Sequence, residues 1–375
     1  MLLLVLLLLS AFVFWNFVWK RRGLPPGPVP LPLIGNGLTM RRSKCPYAPF
    51  QQWARKFGPI YTVWLGEEPV VVVTDFGLMR DMFVKDGDAY AGRHFFVELM
   101  PAFKASRGML YGVMARKEGK EPGEANDLLN CFLAHMEAND RQEEERKKYF
   151  NIDNLRNVCF DLFFAGQETT SSTLNFFVLY LLLDQRVQTK MQAELDKLYT
   201  EKERNGVGGM VTMADRAKLP YLNAVVNECQ RMCNLLPLNL THRTMADVQI
   251  KGKNGKIRLS RGTTIVPQIC CVLFDEKIFP KPHRFLPERF LKQNGELERF
   301  EEMIPFGLGK RICMGESLAR MELFLFTANF FRHFQVLPGL CPLCEAGGDS
   351  RSARERAGVK RDGRARGASS RNMEG

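Results

Sequence analysis

Residues 305–324 read PFGLGKRICMGESLARMELF, with Cys313 between a turn rich in glycine and arginine and the first turn of an amphipathic helix. Two uses compete for that thiol. Taken alone, a cysteine is more often a small buried hydrophobe than a ligand. A thiol just before a helix, however, lies near the unpaired N–H groups of the first turn, which favour its anionic, metal-binding form. The company that Cys313 keeps in the rest of the chain decides between them.

The chain has 375 residues, 45% hydrophobic and 11% aromatic, enough to bury a large core as one large domain or two ordinary ones. Its formal charge of +12, from 53 Lys and Arg against 41 Asp and Glu, predicts attraction to an anionic surface, whether lipid, acidic protein or nucleic acid. Ten cysteines are scattered from Cys45 to Cys344 without the spacing of a small disulfide framework, so reduced thiols in a cytosol-facing domain are expected.

The first nineteen residues, MLLLVLLLLSAFVFWNFVW, carry no charged side chain and are followed at once by Lys20, Arg21 and Arg22. As a helix they reach roughly 28 Å, close to the thickness of a bilayer core. Basic residues directly after the span hold that side in the cytoplasm and leave the amino terminus lumenal. A cleaved signal peptide is the competing reading, but its basic region precedes the apolar run and a small-x-small site follows it; this stretch has neither. Residues 1–22 therefore read as a membrane anchor with a basic flank. Residues 23–36, GLPPGPVPLPLIGN, read as a stiff hinge whose five prolines stop the membrane helix.

Residues 58–74, GPIYTVWLGEEPVVVVT, hold two β-rich runs around residues 66–69, which predicts an antiparallel hairpin. The following DFGLMRDMFVKDGDAY predicts a helix, and MARKEGKEPGEAND, residues 114–127, a linker. From about residue 141 to residue 190 a long helix is expected, with apolar Leu155, Val158, Cys159, Leu162 and Phe163 three and four apart. Helices dominate to about Pro237, and short strands such as GTTIVPQICCVLF, residues 262–274, follow.

Inside the long helix stands Ala165-Gly166-Gln167-Glu168-Thr169-Thr170. Glycine in a helix interior costs about 1 kcal/mol against alanine, so something should compensate. Close packing of another element is one possibility. The other is a flat cofactor lying on Ala165 and Gly166, with Glu168 and Thr169 as an acid and a hydroxyl for relaying protons. Glu228 and Arg231, in NECQR, stand three apart on one helical face, a common surface pair worth about 0.2–0.5 kcal/mol. FLPERF, residues 285–290, reads as a loop with a proline.

Each piece is commonplace, but their order is not. Ala-Gly-x-Glu-Thr-Thr, then Glu-x-x-Arg, then Pro-Glu-Arg-Phe, then Phe306-x-x-Gly309-x-Arg311-x-Cys313-x-Gly315 resembles the haem-thiolate monooxygenases of the cytochrome P-450 superfamily. The anchor and hinge are similar to those of its microsomal members, and the wording is similar to family 2, particularly in nematodes. The resemblance covers residues 1 to about 113 and about 121 to 337. It implies a mainly α fold with small β-sheets (α+β), P-450-like but incomplete, in a truncated catalytic domain over residues 37–338.

By that resemblance Cys313 is the axial thiolate to haem iron. Gly309 makes the ligand turn, Phe306 shields the sulfur from water, and Gly315 completes the motif. Arg311 pairs with a haem propionate, and His242 in LTHRT and Arg93 in YAGRHF are further propionate partners. Glu228, Arg231 and Arg289 form a buried structural trio. Ala165 and Gly166 leave room for dioxygen and substrate over haem b (iron protoporphyrin IX), while Glu168 and Thr169 relay protons. The activity implied is monooxygenation of a small lipophilic molecule, a xenobiotic, fatty acid or steroid, by O2. Electrons come from NADPH through a flavoprotein reductase at the endoplasmic reticulum membrane, with Lys310 and Arg320 as candidate contacts for an acidic reductase.

Two departures qualify that expectation. After GMLYGV, residues 108–113, family members continue into a helix with a haem-contacting Trp-x-x-x-Arg pair and then into helices that roof the substrate pocket. Here Val113 passes through MARKEGKEP to EANDLLNCFLAHME, so the central helices are missing near residues 114–126, and no Trp follows Trp64. Residues 339–375, rich in Gly and Arg, replace a closing hairpin and are expected to be disordered, as from an altered reading frame or a retained intron. Their Cys341-Pro-Leu-Cys344 is half of a zinc site without two further ligands, and the Arg-rich run lacks the interleaved aromatics of a nucleic-acid binder. A second hypothesis therefore stands beside the enzyme: a non-catalytic relic, or splice or gene-model product, with impaired haem binding and exposed apolar faces.

Overall fold

The computed structural model describes residues 2–43, 45, 47–93, 128–137, 144, 149–252, 255–338 and 360–361. Helices α1 (Leu2–Phe17), α2 (Gly37–Arg42) and α3 (Ala48–Phe57) precede the hairpin of β1 (Ile60–Leu65) and β2 (Glu68–Val73), and α4 (Phe76–Met79) follows it. Next among the described residues come α5 (Leu128–Glu137), α6 (Ile152–Leu183), α7 (Gln185–Arg204) and α8 (Pro220–Cys233). The chain then runs through β3 (His242–Arg243), β4 (Val248–Gly252), β5 (Gly255–Leu259), β6 (Thr264–Pro267), α9 (Ile269–Leu273), α10 (Glu316–His333), β7 (Phe334–Gln335) and β8 (Lys360–Arg361). The architecture is helical with small sheets, as expected.

The structure divides into two units, residues 1–94 with 172–375, and residues 95–171. In the first, a four-stranded sheet runs β1-β2-β6-β3, with β2 and β6 parallel and the other pairs antiparallel. Both of its faces are buried. Ile60, Val71, Val73 and Ile265 point to one core with Met79, Phe83 and Tyr90; the alternate residues Tyr61, Val63, Val72 and Val266 point to another with Phe50, Trp53 and Phe274. That split follows from the period of two along a strand. A third core joins the end of α6 to α7, α8 and α10 through Phe177, Leu181, Leu195, Val225 and Phe331. Glu194 of α7 caps α8, its two carboxylate oxygens accepting the N–H groups of Tyr221 and Leu222 at 2.8 Å each. In the second unit Phe132, Leu133 and Leu155 form a small core of their own.

Several local expectations are corrected. The helix expected over residues 141–190 is split at Asp184, which leaves the helical region and accepts the Arg186 N–H with its own carboxylate, starting α7. Of its predicted apolar stripe Leu155 is buried, but Leu162 and Phe163 are exposed. Residues 262–274 are strand only over β6, where Pro267 withholds a ladder donor, and then become the buried α9. FLPERF contains a 3-10 turn over Pro287–Phe290. The helix after residue 74 comes as α4, a π-helical turn Arg80–Lys85 and a 3-10 turn Gly87–Tyr90. The proposed linker and the CxxC lie outside the described residues. So does the tail, apart from β8, which pairs antiparallel with β7.

Leu3–Arg21 is long and apolar enough to cross a membrane. The proline segment after it is docked rather than free. Pro26 and Pro25 accept from the Thr62 N–H (3.0 Å) and hydroxyl (2.9 Å), and a Cβ on Gly27 would collide with the Thr62 carbonyl.

Candidate functional site

The loop around Cys313 is built by backbone. Gly309 has φ 75°, and a Cβ there would overlap the Phe83 carbonyl, so no other residue fits. The Cys313 N–H donates to the Phe306 carbonyl (2.9 Å), and the Glu316 N–H donates to the Cys313 carbonyl (3.3 Å), seating the loop at the start of α10 with Gly315 as its N-cap. The Cys313 side chain is exposed, as are Ile312, Met314 and Leu318 nearby. A buried core thiol is thereby excluded. Among the described residues no N–H donates to the sulfur.

Three chain segments meet next to this loop. Arg311 donates from Nε to the Ala91 carbonyl (2.7 Å), His242 from Nδ1 to the Tyr90 carbonyl (2.9 Å), and Arg93 from Nη1 to the carbonyls of Thr241 (2.8 Å) and Leu240 (3.3 Å). Gly92 and Arg243 exchange backbone hydrogen bonds at 3.1 and 2.8 Å. A side chain on Gly92 would meet the Arg243 carbonyl and the Met245 sulfur, both at 2.7 Å, so the glycine permits the approach. The buried His242 ring also packs edge-on against Phe83, with centroids 4.9 Å apart. Burial first, then the charges of Arg93 and Arg311, lower its pKa to about 4, so the ring is neutral at pH 7. Burial and Arg311 likewise lower the pKa of Arg93. Among the described residues neither Arg93 nor Arg311 meets a carboxylate.

Glu228, Arg231 and Arg289 meet in one ion-paired group. Glu228 accepts from Arg231 at 2.7 and 3.0 Å, from Arg289 at 3.2 Å and from the Leu286 N–H at 2.9 Å. Arg231 spends its other donors on the carbonyls of Leu273 (2.8 Å) and Pro282 (2.7 Å) and lies between the rings of Phe274 and Phe279. Ala165, Gly166, Glu168 and Thr169 lie on α6 in the second unit, within a run, residues 161–169, in which every residue is exposed. Among the described residues a Cβ on Gly166 would meet nothing within 4 Å. The Thr169 hydroxyl donates to the Ala165 carbonyl at 2.7 Å. Lys310 and Arg320 are not free cations: each is paired within the chain, with Asp88 (3.1 Å) and Glu316 (2.8 Å).

A family model, Cytochrome P450, matches residues 25–117 and 98–343. The chain belongs to the cytochrome P450 family. Cytochrome P450 2C8 of Homo sapiens is 27% identical over 467 residues, covering 89% of this chain and 92% of the relative. Cytochrome P450 2E1 of Oryctolagus cuniculus is 26% identical over 458 residues, with 88% and 90% covered. Over a shorter stretch of 208 residues, 56% of this chain and 39% of the relative, Cytochrome P450 2D6 of Homo sapiens is 41% identical. An alignment of 467 residues cannot be filled by a chain of 375, so this cytochrome P450 carries large gaps, in keeping with an incomplete fold.

The family implies haem and, in general terms, monooxygenase chemistry. The donor set of the first unit fits such a group. It offers one exposed thiol framed by apolar side chains, and close by a buried imidazole and two guanidiniums without a carboxylate, the environment that an iron porphyrin with anionic propionates requires. Reading the sequence missed Phe83, Tyr90 and Ala91, which shape the site through their carbonyls. A backbone carbonyl leaves no mark on residue type, so no sequence signal pointed to them.

Proposed function

We propose that this cytochrome P450 is a haem-thiolate monooxygenase that inserts one oxygen atom from O2 into a small lipophilic substrate. The observation that carries the reading is the exposed Cys313 thiol on the same loop as Arg311, beside Arg93, neither arginine meeting a carboxylate among the described residues. Cys313 would hold the iron of haem b, and Arg93 and Arg311 its carboxylates. Haem, when bound, supplies a redox-active iron at which dioxygen is activated, with the thiolate donating electron density. Neutral His242 donates from Nδ1 to Tyr90 and so presents Nε2 as an acceptor; it serves a carboxylate only after taking up a proton. The two arginines therefore carry that role at neutral pH. Ala165 and Gly166 would leave space for substrate, and Glu168 and Thr169 would pass protons, Thr169 first releasing its bond to Ala165. Electrons would come from NADPH through a flavoprotein reductase. Residues 1–22 would anchor the chain in the endoplasmic reticulum membrane, with residues 37–338 cytoplasmic.

A second reading, a shortened chain with impaired haem binding and little turnover, is favoured by the exposure of residues 161–169, the segment meant to face substrate. The reduced, carbon-monoxide-bound spectrum of the purified chain separates the two. A strong thiolate-type, red-shifted Soret band with NADPH-dependent product removes the second reading; its absence in protein supplied with haem removes the first. Cys313→Ser should abolish any such band, and a band that persists would show another ligand.

A further inference from the structure

A cavity of about 280 Å³ lies where α1 ends, its wall including Phe17, Val18, Arg21, Arg22, Pro25 and Thr62. Of the three consecutive cations there, only Lys20 meets a carboxylate among the described residues. Its ammonium pairs with Glu67 at 2.7 Å and sits over the rings of Trp15 and Trp64 at 5.0 and 4.6 Å. With Asn16, whose Nδ2 donates to the Pro30 carbonyl (3.2 Å), this contact ties the end of α1 to the β1–β2 hairpin. Arg21 is held at the cavity by the carbonyls of Phe17 (3.3 Å) and Gly27 (3.0 Å), which occupy two of the five N–H donors of a guanidinium. Arg22 lies against the Trp19 ring at 4.9 Å. Among the described residues neither arginine meets a carboxylate. Trp15 and Trp19, 44% and 55% exposed, stand at the end of the apolar run, the depth at which indoles settle among lipid headgroups.

We propose that this cavity binds the phosphate of an acidic phospholipid, with Arg21 and Arg22 supplying the charge and Phe17 and Val18 the apolar wall beside the acyl chains. The site's place at the end of Leu3–Arg21 favours a lipid over a free anion, because a headgroup is delivered there by the bilayer itself. The inference rests on the membrane reading of α1. The full chain, reconstituted in nanodiscs of phosphatidylcholine and phosphatidylserine and then gently extracted, should retain phosphatidylserine in preference, by roughly fivefold per arginine. Mass spectrometry of the co-purified lipid reads this out. Arg21→Gln with Arg22→Gln should lose the preference, and the corresponding double Lys variant should keep most of it. Equal retention of both lipids by the unmodified chain, an unchanged preference in the double Gln variant, or displacement by inorganic phosphate overturns the proposal. Resistance to alkaline carbonate extraction reports separately whether α1 is embedded, and far-UV circular dichroism shows that the variants fold, so failure of the anchor is distinguishable from failure of the site.

Discussion

Arg231 is fully buried, with its guanidinium paired to Glu228, bonded to two carbonyls and flanked by two phenyl rings, whereas Glu168 and Thr169 stand exposed on α6. Both groups come from motifs of one family. The difference lies in where their partners are encoded. The hydrogen-bond partners and flanking rings of Arg231 all come from residues 228–282, which this chain retains. What would close over α6 is, on the sequence reading, expected from helices that the chain lacks near residues 114–126. A motif survives as letters when its surroundings are gone, but its physical state does not.

That contrast can be broken by mutation. The largest effect is expected at the trio: Glu228→Gln strands two buried guanidiniums and should cost about 3–5 kcal/mol, read as a shift of the denaturant midpoint in detergent. A loss below about 1 kcal/mol would mean that the carboxylate is not the hub. Next comes acid. His242 has a folded pKa of about 4 against 6.5 for the free ring, so the unfolded chain takes up the proton first. Its stabilising contribution is fully present above pH 6.5 and is lost as pH falls through about 4, amounting to at most about 3 kcal/mol. In His242→Gln the dependence of stability on pH across that window should flatten; an unchanged slope would assign it to other groups. Gly309→Ala should cost about 2 kcal/mol, from its positive φ and the Phe83 carbonyl, and unaltered thermal unfolding would contradict that approach. The smallest effect has the opposite sign. Gly166→Ala should stabilise by up to about 1 kcal/mol, since the added methyl meets open space on a helix. A loss of stability there would reveal an element packed on that face and would sharpen the case for an intact pocket.

Much of this was legible in the residues. The hairpin followed from two β-rich runs on either side of residues 66–69, and the trio and the Cys313 loop were singled out by ordered motifs with little room for coincidence. The reading failed where a position's meaning depended on what packs on it. Leu162 and Phe163 have helical spacing but are exposed. Lys20 was read only as a membrane-flanking cation, because its partners Trp64 and Glu67 lie more than forty residues away.

The sequence by itself determined the family, the apolar stretch able to span a bilayer and the glycine turn that carries Cys313, since these rest on residue type and short spacing. Tertiary structure alone decided which charges are neutralised, which apolar faces are covered and which carbonyls orient His242 and Arg311. Burial and counter-charge belong to whatever distant segment arrives alongside. In this chain such segments arrive around Glu228, while residues 161–169 stay exposed.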